Sequence, residues 1–230
     1  MEGAREETRS LPAGAWARED GIEFDRTTFF TDAVFAIALT LLVLEIGVPE
    51  LVEAKHSSAT ALLDGLDDKV PKIVSFVIAF TLIGRYWLAN HFFVAQLRAV
   101  DSRFMALSLV YLGFVAFLPF PTALVGEYEG NPISVVTFAI ALGAVSGMET
   151  VLFAHARRHG LMRLVLPDDV YRWGLLASST PVIILVVTLP LAVVDTTLTL
   201  VSWVVLGPLL QLLIARLRPA GMGEHFIGAV

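Results

Sequence analysis

Six long apolar stretches, separated by short polar segments, set the plan of this 230-residue chain. They lie at 28–48, 70–96, 102–125, 132–156, 171–194 and 196–217. About 20 apolar residues in a helix, at ~1.5 Å each, cross the hydrocarbon of a bilayer. Every stretch reaches that length, so the pattern predicts an all-α, polytopic membrane protein with six transmembrane helices. Pro49 and Pro132 stand at the edges of stretches, where a missing amide is tolerated. Pro119, Pro121, Pro181, Pro190 and Pro208 fall inside or near the ends of apolar runs. They predict kinks or breaks that neighbouring helices must cover. Little more than Asp195 separates the last two stretches, which predicts a tight hairpin.

Composition agrees. The chain is 56% hydrophobic with a mean hydropathy of +0.74, and 17% of its residues are charged, against about 25% in soluble domains. Its net charge of −6 argues against nucleic-acid binding, which wants a basic face. With no cysteine, disulfides, thiolate metal sites and cysteine nucleophiles are excluded. The first 25 or so residues mix acids and arginines and lack the apolar core of a cleaved signal. They read as a solvated, disordered tail up to Gly21. The division expected is a tail at 1–24, a six-helix membrane domain at 25–218 and a second tail at 219–230.

Basic residues set the direction. Arg5, Arg9, Arg18 and Arg26 precede the first stretch, and Arg98 and Arg103 lie between the second and third. Arg157, Arg158, Arg163 and Arg172 lie between the fourth and fifth, and Arg216 and Arg218 follow the sixth. All fall on one side; the other has Lys55, Lys69 and Lys72. The positive-inside rule then puts both termini in the cytoplasm. The longest loop, Pro49 to Lys69, lies outside and is rich in acids: Glu50, Glu53, Asp64, Asp67 and Asp68.

Ionisable groups at membrane depth cost a few kcal/mol each and call for partners. Arg26 and Asp32 open the first stretch, and Trp87, Asn90 and His91 approach the same surface on the second. A buried network joining Asp32 and Arg26 to His91 or Trp87 would satisfy these groups, as a proton relay or ion site or as a structural clamp. Pairing cost favours the clamp. Arg85 lies deeper, free to snorkel, line a cavity or pair with an acid; Glu149 is a candidate partner for either arginine. His155 and His159 read as interfacial, and His56 and His225 as exposed. The histidines show no metal-ligand spacing, so no metal site is expected. Ser178, Ser179 and Thr180 precede Pro181 and are expected to bond backbone freed by the kink. The Phe117–Thr122 run reads as a kink and packing device. No serine sits in a nucleophile elbow and no phosphate loop occurs, so no catalytic residue is expected. No internal repeat is present.

At 100° per residue, Ile37, Leu41 and Leu44 form one stripe of the first helix, extended by Phe30 and Val48 and bordered by Thr40. Asp32 points the opposite way. From periodicity alone such a stripe is ordinary lipid or helix contact.

The pattern Arg26-x-x-x-Phe30-Thr31-Asp32, continued by Ala33 to Ile46, resembles the signature helix of the transmembrane protein 175 family. That motif is Arg-x-x-x-Phe-Ser-Asp, and Thr31 keeps the hydroxyl. The six-helix plan, the Trp87…His91 pair and the Leu118-Pro119-Phe120-Pro121-Thr122 run also resemble its prokaryotic branch. The resemblance implies a potassium-selective channel without a carbonyl filter, built as a homotetramer with the first helix lining a central pore. It implies a constriction at Ile37, Leu41 and Leu44, a hydroxyl linked to potassium preference at Thr40, and a buried network holding the pore helix at Arg26, Thr31 and Asp32. Phe30, Trp87 and His91 complete the motif set. K+ is then the permeant ion, with no cofactor, and the expected setting is a prokaryotic plasma membrane. The rival is a secondary transporter or proton pathway using Asp32, Arg85, His91 and Glu149; a transporter would favour an internal repeat. A third class, a membrane-embedded enzyme, lacks a nucleophile or metal set.

Overall fold

The computed structural model describes residues 11–18, 21–50, 58–128 and 130–217. Its helices are α1 (Ile22–Leu41), α2 (Ala59–Asp67), α3 (Val70–Ala95), α4 (Ser102–Phe117), α5 (Pro119–Glu127), α6 (Pro132–Arg158), α7 (Asp168–Thr188) and α8 (Thr196–Arg216). Short 3₁₀ turns extend α1 through Leu42–Glu45 and α7 through Leu189–Val193. Among the described residues six helical units are long and apolar enough to span a bilayer: Ile22–Glu45, Val70–Ala95, Ser102–Glu127, Pro132–Arg158, Asp168–Val193 and Thr196–Arg216. They match the six stretches read from hydropathy, except that the first begins six residues early, at a turn where Gly21 takes φ +75°.

Local chemistry explains the boundaries. Asp101, Asn131 and Asp195 each accept a backbone N–H just inside the helix they precede, which satisfies a donor left open at a helix start. Pro132 sits at the first position of α6, and His155, Arg157 and Arg158 occupy its last turn, where cations complement the dipole. Pro119 divides the third span into α4 and α5, as its missing amide predicts. Pro181 and Pro208 lie inside α7 and α8 without ending them. Ser178 and Thr180 donate to the carbonyls of Leu175 and Leu176, which is local back-bonding and not the expected bond to backbone freed by Pro181, whose missing amide opens the Ala177 carbonyl. Within the segment read as an outer loop, Ser58 caps the short helix α2. Residues 51–57, with His56, and the C-terminal tail, with His225, lie outside the described residues.

The core centres on α6, which packs most on α4 and α7 and buries Phe138, Leu142, Val145, Leu152 and Ala156. Gly174 of α7 lets the Phe153 ring lie against its backbone; a Cβ there would sit 2.7 Å from that ring. The α7–α8 hairpin is held by Trp203, whose Nε1 donates to Thr188 at 2.7 Å, and by Trp173, which donates to the carbonyl of Ile214 at 2.9 Å. α1 packs on α4 and α3.

One expectation changes here. The stretch before Gly21, read as a solvated tail, is pinned at residues 16–18. Trp16–Ala17 (β1) pairs antiparallel with Ala99–Val100 (β2), the connection between α3 and α4. Arg18 donates to the carbonyls of Val94 and Ala95 at the end of α3 and of Leu97 just beyond it, at 3.4–3.5 Å. On the opposite edge, Arg98 N donates to Leu161 and Arg163 N to Gln96. The 96–100 segment is thus gripped by the chain before α1 and the chain after α6. Such pairing depends on tertiary position, so hydropathy could not announce it.

Candidate functional site

α1 divides into two faces. Phe24, Thr31, Phe35, Ala38 and Leu42 are buried against the rest of the chain, and Phe35 meets Tyr111 of α4 with ring centroids 6.0 Å apart. Ile37, Leu41 and Leu44 face outward, 57%, 40% and 69% exposed. Phe30 shares their stripe and is also exposed. The 3₁₀ turn sharpens it: three residues complete a turn there, so Leu44 eclipses Leu41 about 6 Å further along. Gly47, at φ +62°, ends this rod, so Val48 does not continue the stripe as the periodicity suggested. Thr40 is exposed beside it; its hydroxyl donates to the Ile37 carbonyl at 2.9 Å and leaves oxygen lone pairs facing out.

The anchoring side is partly as expected. Trp87 Nε1 on α3 donates to Asp32 Oδ1 at 3.0 Å, the cross-helix bond that the Asp/Trp pairing foresaw. The exposed His91 ring lies beside Trp87, with centroids 5.6 Å apart and planes tilted by 34°. Thr31 is buried and donates to the Thr27 carbonyl at 2.9 Å. Arg26 does not join a buried network with Thr31 and Asp32. Its side chain is 73% exposed and pairs with Glu23 at 3.2 Å. The reason is helical phase: six residues separate Arg26 from Asp32, placing them on different faces and about 9 Å apart along the axis.

The other intramembrane ionisable groups are dispersed. Arg85 hydrogen-bonds Gln211 of α8, and the Oε1 of Glu149 has no partner among the described residues. Arg26 pairs instead with Glu23 and Arg85 with Gln211, so among the described residues no ion pair joins either arginine to Glu149. A cavity of about 710 Å³ opens between α3, α6, α7 and α8 beside Arg85, Glu149, Trp173, Pro181, Pro208 and Gln211. Hydropathy gave no reason to single out Gln211; an amide in an otherwise apolar run was its one signal. Asp32, Arg85, His91 and Glu149 form no hydrogen-bonded chain among the described residues.

Residues 26–119 match the family model described as endosomal/lysosomal potassium channel TMEM175. A protein from Streptomyces collinus named as a potassium channel is 32% identical over 142 residues, 60% of this chain and 66% of that protein. Another so named, from Chamaesiphon minutus, is 34% identical over 137 residues, 58% of this chain and 66% of that one. The chain thus spans just under two thirds of the length of these curated relatives. The human endosomal/lysosomal proton channel TMEM175 is 30% identical over 98 residues, 41% of this chain and 19% of that protein. The crystal structure of a lysosomal potassium-selective channel TMEM175 homolog from Chamaesiphon minutus superposes with a TM-score of 0.59 at 27% identity, covering 80% of this chain and 98% of that one.

Proposed function

This chain belongs to the TMEM175 family, a family of ion channels and not of enzymes, and on that premise we propose that it is the subunit of a potassium channel. Four copies assemble as a homotetramer, with α1 of each lining a central pore and Ile37, Leu41 and Leu44 closing on its axis. The observation that carries this reading is the unpartnered apolar stripe on α1, set opposite a face fixed to α3 and α4. Four such stripes form an apolar neck. Where narrow it dewets and blocks ions; slightly wider it passes the ion that sheds water more cheaply. K+ holds its hydration less tightly than Na+, so the neck favours K+ modestly, and Thr40 supplies the side-chain oxygens nearest the stripe. Glu45 and Glu50, exposed beyond its far end, raise the local cation concentration. Trp87, Asp32, Thr31 and His91 hold α1 in register, and Arg26 and Phe30 stand at its entrance.

Both termini lie in the cytoplasm in this reading, and the chain sits in the plasma membrane of a prokaryote. The 1–24 and 219–230 segments flank the channel domain, with residues 16–18 of the first fastened to it. The deciding experiment is reconstitution into liposomes under imposed K+, Na+ and proton gradients. Passive K+ flux exceeding Na+ flux is expected. Flux that requires a counter-ion would place the chain among secondary transporters instead.

A further inference from the structure

We propose that Asp101, His155 and His159 form a binding site for a divalent transition ion of the zinc class where α4 begins and α6 ends. Histidine spacing alone predicts no metal site, because the third donor, Asp101, stands 54 residues from His155. Yet His155 and His159 are one turn apart, so both imidazoles leave the same side of the helix end. Their rings stack with centroids 4.2 Å apart and planes 23° from parallel. Asp101 arrives from a different element, the cap of α4. His155 Nε2 lies 3.0 and 3.1 Å from its two carboxylate oxygens. One ligand atom from each of the three residues falls within 4.8 Å of the others.

The geometry is close to a metal cradle. Two ligands on a tetrahedral zinc, with bonds of about 2.0 Å, stand about 3.3 Å apart. The His155–Asp101 pair already has nearly that spacing. His159 is exposed and needs to swing by roughly 1.5 Å to complete a three-ligand set, a motion its side-chain torsions allow. Asp101 is oriented by an outer hydrogen bond: its Oδ1 accepts the Phe104 N–H at 2.6 Å, the kind of support that fixes metal ligands. A plain His–Asp ion pair accounts for His155 and Asp101. It leaves the second imidazole, stacked on the first, without a role.

Ligand type selects the ion. Two imidazoles and one carboxylate suit Zn²⁺ and its transition-metal neighbours, whereas Mg²⁺ and Ca²⁺ want oxygen cages. The charge beside the site is partly cancelled, since Arg157 pairs with Asp168 at 3.2 Å and lies over the Tyr171 ring. A bound ion joins the start of α4 to the end of α6, next to the 96–100 segment that β1 grips.

The test uses the purified full chain in nanodiscs, titrated with Zn²⁺ by calorimetry and with Co²⁺ by visible absorption. One ion per chain is expected, with a dissociation constant on the order of micromolar or below and no displacement by excess Mg²⁺ or Ca²⁺. His159→Gln and Asp101→Asn should each weaken binding by about tenfold or more. Asparagine still caps α4, and residue 159 is exposed, so melting in chelator should match the parent chain and exclude misfolding as the cause. Absent Zn²⁺ binding in the parent, or equal affinity in His159→Gln, would overturn the site.

Discussion

Trp87 and Asp32 meet across the α1–α3 contact, the indole N–H donating to the carboxylate at 3.0 Å. This bond joins the candidate pore helix to its scaffold on the side away from Ile37. A hydrogen bond to a charged group contributes about 1.5–3 kcal/mol, and removing the acceptor also leaves a half-buried indole N–H unmet. Asp32→Ala should therefore lower thermal stability and the fraction of assembled protein on size exclusion, while Asp32→Asn, which keeps an acceptor, recovers much of the loss. Ion preference should not change. Well-assembled Asp32→Ala protein with altered selectivity would contradict the anchoring role.

Ile37 offers a direct test of the neck. In the proposed tetramer, Ile37→Asn puts four amides into the neck and so favours water there. Single-channel recordings in planar bilayers should show a conductance raised several-fold, or a weaker preference for K+. An unchanged current would remove Ile37 from the permeation path.

Thr40 separates dehydration from coordination. Thr40→Val keeps shape and deletes the hydroxyl, whose intrahelical bond to Ile37 lies at an exposed position and adds little stability. If the hydroxyl oxygens serve K+, the reversal potential under bi-ionic K+/Na+ conditions should move toward zero while protein yield holds. A reversal potential equal to that of the parent chain would leave selectivity to the apolar ring alone.

Gly174 reports on the scaffold. A methyl group there would stand 2.7 Å from the Phe153 ring in the α6–α7 contact. Gly174→Ala should lower stability by about 1–3 kcal/mol, the usual penalty for overpacking. The paired change Gly174→Ala with Phe153→Leu should restore part of it, read as melting temperature in detergent.

Hydropathy alone located all six spans, because each must be apolar for some twenty residues and nothing else in the sequence imitates that length. Prolines told less. Pro119 broke its span as its missing amide requires, while Pro181 and Pro208 were absorbed into continuous helices. Phase arithmetic placed Ile37, Leu41 and Leu44 on one side of α1 because an α-helix has a fixed period. It missed at Val48, where Gly47 ends the rod, while the 3₁₀ turn kept Leu44 on the outward side with Leu41. The Asp32–Trp87 pairing was legible from depth and direction. Arg26 was not, since depth brings residues to one level without giving them one azimuth. Gln211 beside Arg85, and Asp101 beside His155, join residues 126 and 54 apart in sequence, a proximity that only the packed bundle creates.

The antiparallel pairing of Trp16–Ala17 with Ala99–Val100 also carries a timetable for biogenesis. A ribosome adding about 5–20 residues per second takes roughly 4–17 s to travel from residue 16 to residue 100. For that interval β1 is without its strand partner, and Asp32 is without the indole of Trp87 for the roughly 3–11 s that the 55 residues between them take. α1 is therefore fastened to its scaffold only after α3 and the 96–100 segment have been synthesised.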